Sequence, residues 1–286
     1  MRVPGIRGTG IGELSKRAVK GFFEDNMVAY AAALSYYVFL ALFPFSILLL
    51  ALLGFLGIPG LFDSLLNQAE SALPGQAMGL VEQVIGQIRS QSQGWLLLVG
   101  VAVGLWSAPS TILLLMVALN AAYEVEETRP IWKRLLLSIG YTLGLAVLII
   151  IATALMMVGP QAVAWLANEI GIGTLFVGLW TWLRWPLAAL VLMLVVAIAY
   201  YVVPDVDEPF RFVSPGAVLA VIGWLAVSLG FSYYVAGFAN YGAVYGSLSA
   251  VIVLLVEFFI SASVLLLGAE VNAAIYHHTS EGKGRR

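Results

Sequence analysis

The chain has 286 residues, 61% of them hydrophobic and 10% charged, and a mean hydropathy of +0.96. Soluble domains carry about a quarter charged residues, so this composition excludes one and points to a polytopic membrane protein. A formal net charge of −2 offers no basic field for RNA or DNA, and the lack of cysteine excludes disulfides, thiolate nucleophiles and cysteine metal sites.

The only histidines are the adjacent His277 and His278, which excludes a multi-histidine metal centre. No polar block is long enough for a separate soluble domain. The expectation is a cytoplasmic amphipathic segment at 1–27, a single six-helix membrane domain at 28–276 and a cytoplasmic tail at 277–286. The N-terminus lacks the apolar core and small-residue cleavage site of a secretory signal, so the mature chain is expected to start near Met1.

Residues 12–26, "GELSKRAVKGFFEDN", read as a short amphipathic helix or a juxtamembrane linker. As a helix it turns Leu14, Val19, Phe22 and Phe23 toward lipid and Lys16, Arg17 and Lys20 toward headgroups. The first span covers 28–57, longer than the roughly 20 residues a crossing needs, with a kink expected at Pro44. Residues 60–93 are the longest polar region. Leu80, Val84 and Ile88 recur at helical spacing, so two short interfacial helices on the outer side, split near Pro74 and Gly75, are expected.

The second span covers 94–120. Its Gly100, Gly104, Ser107 and Thr111 share one face, a small-residue stripe that admits a neighbouring helix, and Pro109 is expected to kink it. Further spans are expected at 135–158, 183–203 (ended by Pro204), 214–236 and 247–275. With both ends in the cytoplasm, twelve of the fourteen Lys and Arg lie inside, against Arg89 and Arg184 outside. That asymmetry fits the positive-inside rule. The reading is an all-α integral membrane protein of the bacterial inner membrane, with six transmembrane helices and both termini cytoplasmic.

Glu257 lies about ten residues into the last span, roughly 15 Å deep at 1.5 Å per residue, near the bilayer midplane. Gly246, Ala250, Ser261 and Gly268 fall within about 40° of it around the helix. Glu257 and Ser261 are therefore the candidates for a cavity-facing, proton-handling or substrate-facing group. The alternative is an acid hydrogen-bonded to a neighbouring helix. Glu270 lies about 20 Å further along the helix, too far to act with Glu257 as a general acid and base. Glu270 and Asn272 are expected to make structural hydrogen bonds at the membrane edge.

Two acidic clusters, Glu124, Glu126 and Glu127, then Asp205, Asp207 and Glu208, could hold Mg²⁺. Their spacing matches no metal motif. Two solvated loops neutralised by Arg129, Lys133, Arg134 and Arg211 are the plainer reading. In "FANYGAVYGSLSA", Gly242 and Gly246 permit tight turns, and Tyr241 and Tyr245 suit the outer interface. No P-loop, nucleophile elbow or His-Glu-x-x-His motif occurs. No catalytic residue, metal or cofactor is expected. The partners expected are membrane lipids and a small-molecule or lipid substrate, with no nucleic acid.

The stretches "AAALSYYVFLALFPFSILLL", "WSAPSTILLLMVALNAAYEVEETRPIWKR", "NYGAVYGSLSAVIVLL" and "LLLGAEVNA" resemble the YihY/virulence factor BrkB family of bacterial inner-membrane proteins. The resemblance runs from about residue 20 to 276. It is carried by Tyr36, Pro44, Ser107, Asn120, Glu126, Arg129, Asn240, Tyr241, Tyr245, Gly246, Glu270 and Asn272. It implies six membrane helices with cytoplasmic ends. It also implies a transporter linked to envelope lipids, an old ribonuclease label regarded as misassigned, and a virulence label tied to serum resistance. A membrane scaffold docking through 60–93 is the alternative. The chain departs from the family at "LVEFFISA", where Glu257 replaces an expected tryptophan and Phe259 an expected tyrosine.

Overall fold

A computed structural model of the protein describes residues 11–56, 95–157, 174–206, 211–237 and 248–284. Their regular structure is entirely helical: α1 (Ile11–Glu24), α2 (Met27–Leu56), α3 (Trp95–Ala122), α4 (Ile131–Met157), α5 (Thr174–Val202), α6 (Pro215–Gly237) and α7 (Leu248–Gly284). The expected interfacial helices at 60–93 and the turn at 238–247 lie outside the described residues, as do Asp207, Glu208, Asn240, Tyr241, Gly242, Tyr245 and Gly246.

The amphipathic pattern of α1 decides which face it buries. Leu14 and Ala18, one turn apart, pack on Val271 of α7, with Ala274 and Ile275 beside it. Leu14 was expected to face lipid. It is buried instead because the last turns of the expected final span, at Val271, Ala274 and Ile275, offer α1 an apolar face. Val19 and Phe23 stay exposed, at 48% and 67%. Arg17 pairs with Glu13 and Lys20 with Glu24 at i,i+4 spacing, both on the solvated side. Asn26 then adopts a left-handed conformation (φ 56°), which asparagine tolerates better than most residues. The chain turns there by 66° between Gly12–Glu24 and Met27–Leu42.

The end of α3 is built on the same principle with a less favoured residue. Val125 N–H donates to the Asn120 carbonyl and Glu124 N–H to that of Ala121, closing a Schellman cap. Glu124 holds the left-handed position at φ 53°. Pro109 lies inside α3 and Pro186 inside α5 without ending either helix. Within a membrane bundle, neighbouring groups can satisfy the carbonyl that a proline leaves free. Accordingly α5 starts at Thr174 rather than near 183, and α7 runs to Gly284, where the polar tail has no proline to stop it.

Two compact units divide the described chain. One is drawn from 1–39, 109–141 and 189–286, the other from 40–108 and 142–188. The first holds the main core: Met27 and Ala31 of α2, Met116 and Leu119 of α3, Ala199 of α5 and Val203 just after it, Ala217 of α6, and Leu266 and Ala269 of α7. In the second, Ala146 is fully buried and Thr142 nearly so. There Arg184 sits over the Trp185 ring at 5.7 Å, and Trp182 and Trp185 are exposed.

Four stretches among the described residues are long and apolar enough to cross a bilayer: Ile131–Ala152, Gly178–Val202, Pro215–Val235 and Val251–His277. A fifth is counted if α1 and the start of α2 form one broken span. Only 11–22% of each of the four is buried within the protein. Apolar helices left so open belong in hydrocarbon, where exposure carries no hydrophobic penalty.

Candidate functional site

Three polar constellations lie in the first unit. The first joins the α3–α4 connection to the end of α5. Arg129 projects its planar guanidinium between them. Nε and Nη2 donate to the two carboxylate oxygens of Glu127 at 2.7 and 2.8 Å. Nη1 and Nη2 also donate to the carbonyls of Val202 and Val203 at 3.2 and 2.8 Å. These are carbonyls that the end of α5 leaves without helical donors, so the arginine caps that helix.

Asn120 completes the frame from α3. Its amide donates to Glu127 at 2.9 Å and its carbonyl accepts the Asp205 N–H at 2.8 Å. Thr128 donates to Asp205 Oδ2 from its backbone N–H at 2.8 Å and from its hydroxyl at 2.6 Å. The Arg129 fork beside Glu127 holds that carboxyl below the usual carboxylate range, and the Thr128 donors do the same for Asp205. One acid from each cluster, Glu127 and Asp205, thus joins one clasp. Glu126 of the same loop is exposed. Among the described residues no three acids or histidines gather closely enough to hold a metal ion.

The second constellation is the α6–α7 contact. Asn272 accepts the Gly216 N–H at 2.9 Å and donates to Ser214 Oγ at 2.9 Å. Ser214 Oγ in turn accepts the Ala217 N–H at 3.1 Å, as a helix N-cap does. Further along, Trp224 Nε1 donates to Ser261 Oγ at 3.1 Å and Ser228 Oγ donates to Glu257 Oε1 at 2.9 Å. Each pair is separated by one helical turn, so the four side chains form a polar seam between antiparallel helices. Glu257 Oε2 is buried and accepts no hydrogen bond. Beside the seam's N-cap end, Tyr123, Tyr200, Arg211, Ser214 and Asn272 line a cleft of about 40 Å³. The hydroxyl of Tyr200 donates to the Leu265 carbonyl at 2.5 Å.

The third is a carboxyl pair. Glu270 of α7, 4% exposed, shares one spot with Asp25 of the α1–α2 turn: a Cβ on Gly21 would lie 2.5 Å from Glu270 Oε2 and 3.6 Å from Asp25 Oδ2. Burial, and then the neighbouring Glu124 and Glu24, push the Asp25 carboxyl above the ordinary aspartate range. Sequence reasoning set Glu270 beside Asn272 at the membrane edge, yet the two serve different helices. It did not single out Asp25, Ser214, Gly216, Trp224 or Ser228. The one available signal was the small-residue face around Glu257, which marks a close helix contact without naming the partner. Tyr36, another residue of the resemblance, is 55% exposed and stacks edge-on against Tyr37. The side chains of Pro44, Ser107 and His278 lie outside the described ones.

Long apolar helices, open to their surroundings and tied to one another by buried polar contacts, define an α-helical membrane protein. The chain matches the Virulence factor BrkB family over residues 18–286 and belongs to it. It is 38% identical over 246 residues to the Bacillus subtilis protein YfkH, named as ribonuclease-like, covering 86% of this chain and 89% of that one. It is 28% identical over 274 residues to the UPF0761 membrane protein RSc1559 of Ralstonia nicotianae and 26% identical over 267 residues to Bxeno_A3061 of Paraburkholderia xenovorans. Each of those matches covers 92% of this chain but only 58% and 59% of the longer relative. No solved structure matches.

Proposed function

We propose that the protein is a transporter or lipid translocator of the bacterial inner membrane, with six spans and both termini cytoplasmic. The observation that carries the reading is Glu257. It is a carboxylate in the interior of an apolar helix, held on one oxygen by Ser228 and buried without a partner on the other. Ionisable groups at membrane depth are costly and characteristically mark substrate or ion pathways. The polar seam of Trp224, Ser228, Glu257 and Ser261 supplies hydrogen-bonding groups along such a path.

The ribonuclease-like name of YfkH offers a second reading, hydrolysis on a carboxylate-held metal. Little supports it in this chain. Glu127 and Asp205 are already bonded to Arg129, Asn120 and Thr128, which leaves them poorly placed to bind a cation.

The test is lipid translocation in proteoliposomes under an imposed pH gradient, comparing the native protein with Glu257→Gln. Movement that falls in the variant supports a pathway through the seam. Movement indifferent to the substitution keeps the translocator and assigns Glu257 to helix packing. No movement of any lipid turns the reading to a small-solute transporter or to a scaffold docking through 60–93.

A further inference from the structure

The contact between Asp25 and Glu270 has no part in that transport reading. A hydrogen bond between two carboxyl groups requires a proton on one of them, because ionised carboxylates only accept. The packing forces this approach. Leu14 and Ala18 seat α1 on Val271, the residue next to Glu270. Gly21 leaves open the space that the Glu270 carboxyl fills: a Cβ at that position would lie 2.5 Å from Oε2. Glu270 is itself buried, at 4% exposure, and its other oxygen, Oε1, is buried without a hydrogen-bond partner.

The charged groups that face the pair come from each neighbouring element. They are Glu24 of α1, Glu124 after α3 and His277 of α7. Glu24 is exposed and paired with Lys20, so Glu124 is the further carboxylate that adds to the repulsion within the pair. Two like charges in contact are costly when one of them, Glu270, is buried, so the surroundings favour a proton on the pair.

We propose that Asp25 and Glu270 form a proton-binding site, in which one shared proton holds the α1–α2 turn against α7. The ligand is a proton exchanged with water. Its loss leaves two carboxylates in contact and loosens α1, and its return restores the hydrogen bond. The site does not use Glu257, so failure of the translocation assay leaves it standing.

Infrared spectroscopy of the purified full chain in detergent tests it. The carbonyl stretch of a protonated carboxyl is expected at neutral pH in the native protein. It should be lost in Glu270→Gln and in Asp25→Asn, either of which suffices if the other does not fold, and retained in Glu257→Gln. No such band in the native protein overturns the proposal, as does a band that only Glu257→Gln removes. A spin label on Val19→Cys, the sole cysteine, should gain mobility as the band titrates away at rising pH. Unchanged mobility through that titration overturns the clamp.

Discussion

Arg129 satisfies a carboxylate and two helix-end carbonyls with one rigid fork, and its side chain is only 8% exposed. Removing one member of a buried pair leaves the other charge without compensation, so Arg129→Ala should destabilise the fold by about 3–5 kcal/mol. Lysine cannot reproduce the fork and should recover only part of that. The pH dependence has a definite sign. Glu127 and Asp205 titrate below their ordinary range when folded. Their contribution is therefore fully present above the unfolded values near 4 and is lost as pH falls through the folded ones. Denaturant unfolding in mild detergent should show the Arg129→Ala deficit shrinking toward acid. A residual acid slope from Asp205 should remain, because Thr128, not Arg129, is its main support. A deficit equal at all pH values would show that the ion pair adds nothing beyond the capped carbonyls. Sequence reading found each acid cluster and each basic residue near them. It kept the clusters apart because 77 residues separate Thr128 from Asp205.

At the scale of elements, α6 and α7 approach so closely that three glycines take part. A Cβ on Gly216 would collide with the Gly268 carbonyl oxygen, and one on Gly223 would lie 2.9 Å from Val264 Cγ1. The first obstacle is backbone, which cannot swing aside as a side chain can. Gly216→Ala should therefore force the helices apart and cost about 1–3 kcal/mol, the usual range for overpacking. Gly230→Ala on the same helix meets nothing within 4 Å and should be neutral or mildly stabilising. Thermal unfolding of the two variants side by side checks this, and equal midpoints would show that α6 can shift freely over α7. Small residues let membrane helices pack by van der Waals contact where no hydrophobic force draws them together. The Gly268 face of α7 was legible as such a surface, while Gly100, Gly104 and Ser107 of the expected α3 stripe lie outside the described side chains. Only the structure pairs Gly268 with Gly216.

For the whole molecule, the proposed topology sets Gly12 and the twelve inner Lys and Arg on the cytoplasmic side and Gly178, at the start of the fourth span, outside. The chain has no cysteine, so Gly12→Cys and Gly178→Cys each carry a single thiol, at positions where a side chain meets nothing within 4 Å. A membrane-impermeant maleimide applied to intact cells should label the second and spare the first until the cells are opened. Labelling of Gly12→Cys from outside would overturn the orientation. The exposed Trp182 and Trp185 near one end of α5 and Trp132 at the start of α4 suit opposite interfaces in this arrangement.

What the sequence determined by itself is the class of the protein and the approximate places of the described helices. Both follow from local composition: apolar runs of membrane length, separated by polar or proline-marked turns, are readable one segment at a time. The starts of α2, α3 and α6 accordingly fall close to expectation, while α5 and α7 extend beyond it because proline and polar tails do not by themselves end a helix. The tertiary structure alone decided which polar groups meet. Asp25 with Glu270, Arg129 with the end of α5, and Ser228 with Glu257 are contacts between residues on different elements, none of them neighbours in the sequence. Helical periodicity gives each side chain a face, but only the register of packed helices gives that face a partner.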